Sequence, residues 1–394
     1  MKTTDEKPRP KRLLALDILR GMTIAGMLLV NNPGSWGSIY APLRHADWNG
    51  LTPTDLVFPF FMFIMGLSTY FSMQRYQFRL SWQSGAKILR RSVILFLIGM
   101  AMAWLALFLR GISGGAELAD AIFNFDHIRI LGVIPRLAIC YGIGTLLALV
   151  ISRKALPWTV AGLLVIYGII LLFGHGFEFS EKSVLYIVDN AILGPSHLYS
   201  DNVGGVSLHL DPEGLLSTLP SIAHMLIGFL CGQMIMNTKD NSLRINKLFI
   251  LGTILTFSGF LLDYGIPINK KIWSPTFVLT TCGLASSFLG LLIWIIDIRG
   301  HKKWCRFFEA FGVNPLFMYV TGTVASLLIS FVKVPCQTAE RGMTSLHTWL
   351  YKDVLVPACF DDKTLASLVF AMLFVAFIWC IGYILYRKKI YIKI

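Results

Sequence analysis

One histidine, His45, lies in a polar stretch rich in Gly, Pro and Trp, residues 31–66, NNPGSWGSIYAPLRHADWNGLTPTDLVFPFFMFIMG, between an apolar run ending at Val30 and another beginning at Leu56. Imidazole titrates near neutral pH, so a histidine held at such a boundary can take a proton from an attacking amine or itself carry a transferred acyl group. The residue type does not choose between these roles. A lone loop histidine is otherwise an ordinary solvated group, so its neighbours decide its weight.

Three polar residues flank it. Asp55, ten positions on, would look catalytic beside His45. Thr52-Pro53-Thr54-Asp55 also has the form of a capping box with proline at the first helical position, which places the carboxylate on the Thr52 amide and against the helix dipole. Capping is the stronger expectation, and the same reading fits Asp211-Pro212-Glu213. Asn31 ends the preceding apolar run, where it can cap the helix, orient His45 or donate to an oxygen that gains charge. Asn49 flanks the histidine from the other side. Three charged residues fall inside apolar runs, where ionisable groups are costly and mark function by default. Asp17 and Arg20, spaced i, i+3 in LDILRG, form a local ion pair near the interface or face a ligand. Arg136, in IRILGVIPRLAICY, is too far inside its run to snorkel and needs an anionic partner, with Asp17 one candidate. The seven cysteines show no CxxC and no Cys/His cluster at ligand spacing, so no metal site is expected.

Apolar length supplies the elements that hold these residues. The chain of 394 residues is 55% hydrophobic and 14% charged, with mean hydropathy +0.65, whereas soluble domains carry roughly 25% charge. Apolar runs of about 17–23 residues recur without β alternation, each long enough to cross ~30 Å of hydrocarbon as a helix. The expected fold is an all-α polytopic membrane protein, one domain over 1–394. Its ten helices fall at 13–30, 53–73, 92–109, 130–151, 158–173, 212–236, 248–263, 276–296, 315–332 and 364–386, with tails at 1–12 and 387–394. The formal charge of +13 would suit nucleic acid if gathered on one face, but the Lys and Arg are spread over short loops, which excludes that partner and reports topology instead. Most of the 35, including Arg75, Arg90 and Arg91, lie on the N-terminal side. Both termini are therefore expected in the cytoplasm, with His45, the PINKK loop and the 333–363 loop outside. Asp17 and Arg20 interrupt the first apolar run, which reads as an uncleaved helix. Cys336 and Cys359 would share the oxidising side, where a bridge is expected to add ~3 kcal/mol.

HADWNGLT followed by DLVFPFF closely resembles the motif of the heparan-alpha-glucosaminide N-acetyltransferase family, membrane enzymes that move acetyl from cytosolic acetyl-CoA to a terminal glucosamine across the bilayer. LDILRG, RILGVIPRLAICY, DPEGLLSTLPSI, PINKKIWSPTFVL, FGVNPLFMY and YRKKIYIKI match in order, and LD-x-x-RG is similar to the opening of the wider transmembrane acyltransferase superfamily. Pro135 stands where the family usually has glutamine before Arg136. The resemblance implies a bacterial cytoplasmic-membrane enzyme with acetyl-CoA as donor, an amino sugar, free or at an oligosaccharide end, as acceptor, and His45 as the catalytic group on the periplasmic side. Asn31, Asn49 and Asp55 are its expected site companions. The phosphates of CoA need charge-assisted partners at the cytoplasmic mouth, for which Arg20 and Arg136 rank first, then Arg75, Arg90 and Arg91, with Asp17 beside Arg20.

A sugar permease is the rival class, yet the chain shows no repeated halves and no paired Gly/Pro-broken helices of the kind that mark alternating access. A non-catalytic scaffold would leave His45 and Arg136 unexplained. Which sugar is acetylated, and whether the chain pairs with a second copy as a homodimer within the membrane lipid, is not legible.

Overall fold

The computed structural model describes residues 13–336 and 342–392; the expected tail at 1–12 and the end of the one at 387–394 lie outside them. Twelve helices of nine or more residues carry the architecture: α1 (Leu14–Asn31), α2 (Val57–Met73), α3 (Trp82–Ser113), α4 (Val133–Val150), α5 (Leu156–Phe173), α6 (Val184–Leu193), α7 (Thr218–Asn237), α8 (Asn241–Asp263), α9 (Pro275–Leu292), α10 (Cys305–Val313), α11 (Pro315–Phe331) and α12 (Lys363–Arg387). Among the described residues, nine helices are long and apolar enough to cross a membrane, and α10 with α11, bent by 86°, makes a tenth if counted as one span. The break falls at Asn314-Pro315, where proline starts the second helix and its missing N–H ends the first. Two small antiparallel hairpins complete the fold, β1 (Asp201–Val203) with β2 (Val206–Leu208) and β3 (Lys333–Pro335) with β4 (Met343–Ser345).

Three expectations are corrected, two of them helix boundaries. α3 begins ten residues before 92, because Ser81 and Ser84 form a reciprocal capping box and the basic segment that follows is an interfacial first part of the helix. α7 begins at Thr218, six residues after 212, because Asp211 and Glu213 are engaged elsewhere and cap no helix. Cys336 and Cys359 are not joined by the bridge expected from sequence. The backbone N–H of Cys336 donates to Gly342 O and its Sγ lies 3.6 Å from Asp353 Oδ2, while Cys359 packs with Tyr351, Ala366 and Phe370, so the two occupy separate environments.

Between membrane helices burial against lipid drives nothing, so close backbone approach does the work. A Cβ at Gly66 of α2 would lie 1.9 Å from Met225 O of α7, and one at Gly228 of α7 would lie 2.1 Å from Phe63 O of α2. Glycine at both positions lets the helices meet, and this anchors the segment whose N-terminal turn carries Asp55. At the other end of α1, Arg20 reaches Asp17 Oδ1 (3.3 Å), Gly312 O (3.3 Å) and Ser68 Oγ (2.8 Å), tying α1 to α2 and α10. Leu89, Val93 and Leu97 of α3 and Phe257 and Leu261 of α8 point outward, a surface suited to lipid. Trp82 and Tyr264, 90% and 95% exposed, stand at opposite ends of their helices as interfacial anchors do.

Candidate active site

The loop after α1 is held by its neighbours. Gly50 N donates to Ile268 O (2.8 Å), Asn269 Nδ2 to Asn49 Oδ1 (3.1 Å) and Trp48 Nε1 to Phe177 O (2.8 Å). The first two bonds dock the HADWNG segment on the loop between α8 and α9, and the third ties it to the loop between α5 and α6. That second loop is itself fixed, with Ile268 N on Asp263 Oδ1, Asn269 N on Ser274 Oγ, and Ser274 capping α9. Trp273 sits there in the left-handed region at φ 53°, fully buried against Phe58 and Phe277. A bulky residue in that conformation persists only where its surroundings determine it.

The docking brings His45, Asp55 and Lys270 together. His45 Nδ1 lies 2.6 Å from Asp55 Oδ1, Lys270 Nζ lies 3.3 Å from the same oxygen and 2.9 Å from Nδ1. The second carboxylate oxygen, Oδ2, accepts from Thr52 N (3.1 Å), Thr52 Oγ1 (2.9 Å) and Ala46 N (3.1 Å). One side chain thus serves both roles that the sequence offers as alternatives: Oδ2 closes the capping box, and Oδ1 holds the imidazole. With Nδ1–H donated to Asp55, the bare nitrogen of the ring is Nε2. Asp55 is 1% exposed and His45 35%, so an anchored base faces an open space.

That space is a cavity of about 380 Å³ whose walls include His45, Asp55, Lys270, Glu213, Asp201 and Arg129. Arg129 donates from Nε and Nη2 to the two oxygens of buried Asp211 (2.8 and 2.5 Å) and from Nη2 to Glu213 Oε2 (2.6 Å). Lys271 pairs with Asp201 at 2.7 Å. Burial alone would raise the Glu213 carboxyl, but Arg129, Arg136 and Lys270 together hold it below the ordinary range. Burial lowers the Lys270 ammonium, an effect that Asp55 and Glu213 oppose. The wall is therefore densely charged with both signs.

Arg136 forms the layer beneath. It is fully buried one turn into α4, its Nη2 donating to Gly214 O (2.9 Å) and to Ser217 Oγ, with its guanidinium 5.4 Å from the Trp273 ring. Its charge is felt by Asp189 and Glu213, while Asp17 pairs with Arg20 on α1. Arg136 thus stands at the His45 end of the bundle, separated from Arg75, Arg90 and Arg91. Those three lie where α2 ends and α3 begins, with Arg91 over the Tyr141 ring at 4.5 Å and Lys87 in range of Arg75 and Arg91. Asn49 meets the site through Asn269. Asn31 is exposed at the last position of α1, and it is Asn32 that bonds back to that helix, at Leu28 O (2.7 Å).

Asp189 of α6 accepts from Leu215 N (3.0 Å) and Leu216 N (3.2 Å), bracing the segment that carries Glu213. Burial pushes its carboxyl up to about 6 from 3.8. Between those values the folded chain binds the proton that the unfolded chain has lost, so stability falls as pH rises through this window. Asp189→Asn, a neutral isostere, should match wild type at pH 4 and gain on the order of 1–3 kcal/mol above pH 6. Thermal unfolding in detergent across that range measures it; a pH-independent difference would remove the account.

Sequence reasoning missed Lys270, Arg129, Glu213 and Asp201. The signal for Lys270 and Lys271 was present: two lysines in a loop expected outside are exceptions to the positive-inside rule. No local signal marked Arg129, whose partners lie 82 and 84 positions away.

Fold and cavity define a polytopic helical membrane protein with a histidine, carboxylate and lysine cluster at one end of its bundle. A family model described as heparan-alpha-glucosaminide N-acetyltransferase, catalytic, matches residues 12–264, and the chain belongs to that family. It is 29% identical to human heparan-alpha-glucosaminide N-acetyltransferase over 98% of its own length, and 28% identical to the mouse protein of that name over 97%. The chain spans 60% of the length of each of these relatives.

Proposed function

We propose that this protein is a transmembrane acetyltransferase that moves acetyl from acetyl-CoA to the amine of an amino sugar, with His45 Nε2 as the working atom. The observation that carries the reading is the His45–Asp55–Lys270 cluster in the cavity wall, in a chain of this family. Asp55 holds Nδ1–H, so Nε2 can receive the proton that the attacking amine must lose as its C–N bond forms and the thioester C–S bond breaks, the sulfur leaving as thiolate and ending as the thiol. The same nitrogen can instead accept the acetyl and pass it on. Lys270 sets a cation beside the place where charge develops on the carbonyl oxygen. Asp201 and Glu213 offer acceptors for sugar hydroxyls or an ammonium. At the opposite end Arg75, Arg90 and Arg91, with Lys87, suit the phosphates of the donor; Arg20 and Arg136 are engaged with protein groups. Donor entry from the cytoplasm and acceptor entry from outside follow as one arrangement.

Purified full-length protein incubated with labelled acetyl-CoA and a panel of amino sugars should give N-acetylated product; no product from any amino sugar would overturn the activity. Sidedness is tested separately. Cysteine at Ser38 should react with an impermeant thiol reagent added outside intact cells, and cysteine at Trp82 should not. Trp82 suits an inner reporter because its side chain is exposed, whereas nearby Ser84 is buried in its capping box. The reverse pattern would invert the topology.

A further inference from the structure

A second cavity, of about 570 Å³, adjoins the first. It shares Arg129 and Tyr199 with the His45 cavity, and these two residues are stacked, the guanidinium 5.0 Å from the ring centroid. The pair is therefore the wall between the two spaces. Below it the second cavity runs along α3 from Arg110 down to Gly99, with α4 and α11 as its other sides. Eleven residues of helix rise ~16 Å, about half of the ~30 Å hydrocarbon thickness, or one leaflet. The lining is sorted along that depth. Met102, Ala103, Ala106 and Ile134 make the lower part largely apolar, with Tyr319 of α11 beside them, while Arg110, His127 and Arg129 gather at the end next to the His45 cavity. Glu117, Asp120 and Asp126 belong to the same loop as His127 but do not line it.

A space one leaflet deep, apolar below and cationic at its rim, fits a hydrocarbon chain ending in a phosphate. The rim opens across one stacked pair onto the proposed acetylation site. Its volume lies within the 300–1,000 Å³ of ordinary ligand sites. We propose that the acceptor is a lipid-linked amino sugar: a long hydrocarbon chain occupies the second cavity, its phosphate lies by Arg110 and His127, and the glucosamine-type sugar reaches past Arg129 and Tyr199 to His45. The inference rests on the proposed acetyltransferase activity and adds to it the class of acceptor. The chain confines the acceptor to the membrane and leads its sugar to the rim, so the concentration at His45 exceeds that of a sugar free in solution.

The test compares three acceptors on full-length protein in lipid nanodiscs: glucosamine, glucosamine 1-phosphate, and a synthetic glucosaminyl phosphate ester of a long-chain polyisoprenoid alcohol. The lipid-linked acceptor should have kcat/KM at least about tenfold above the two soluble sugars. Ala106→Trp, and independently Ala103→Phe, fill the apolar part of the cavity, and should abolish that advantage while leaving turnover of free glucosamine unchanged, which also reports that the variants fold. Equal kcat/KM for the lipid-linked and soluble acceptors overturns the inference and leaves the acetyltransferase activity standing. So does an equal loss for all three acceptors in both variants. If none of the three is acetylated, the proposed activity falls and takes the inference with it.

Discussion

His45→Ala is expected to slow acetyl transfer by ~10²- to 10⁴-fold, the span of a lost general base, with little change in thermal stability. The reason for the second half is geometric: the imidazole is one-third exposed in a loop whose docking bonds are made by Asn49, Gly50 and Trp48, so its removal opens no core cavity. Asp55→Asn separates the two roles of the carboxylate. An amide oxygen can still accept from Thr52 N and preserve the cap, but the group facing Nδ1 no longer selects the tautomer or balances Lys270. Transfer should therefore fall steeply while the helix start stays in place, whereas Asp55→Ala should also lose roughly 1 kcal/mol of capping. Rates of purified variants beside their melting temperatures decide the matter; near-normal transfer by His45→Ala would remove the histidine from the mechanism.

Arg129→Ala is expected to cost about 3–5 kcal/mol of stability at neutral pH, because it leaves the fully buried Asp211 and its neighbour Glu213 as uncompensated carboxylates. The pH dependence has a definite sign. Glu213 is held below its ordinary value of 4.5 in the fold, so the stability that its pairing contributes is present above that value and fades as pH falls through the folded one. The gap in melting temperature between wild type and Arg129→Ala should accordingly narrow at acid pH. Asp211→Asn on the Arg129→Ala background should recover part of the loss, since it removes the charge left behind. A gap that stays constant down to pH 3 would show that the loss comes from packing of the arginine stem on Tyr199.

Composition and apolar length by themselves determined that the chain is a helical membrane protein and located its spans, because each crossing must satisfy its own backbone and needs a contiguous apolar run to do so. The motif around His45 likewise marked the family and singled out the histidine proposed here as the working residue, and the capping box at Thr52–Asp55 was legible from four adjacent letters. Tertiary structure alone decided what completes the site. Lys270 stands 225 positions from His45, and Glu213 pairs with Arg129 across 84; such partners are chosen by how loops dock at one end of the bundle, and no local periodicity encodes that. The same holds for Arg136. Its burial in an apolar run was plain from sequence, but its place at the His45 end was set by α4 beginning at Val133 and by the carbonyl of Gly214. The early start of α3 and the bend at Pro315 show the converse limit: hydropathy locates the segment within the membrane, and caps and prolines, which act outside it, set where each helix begins and breaks.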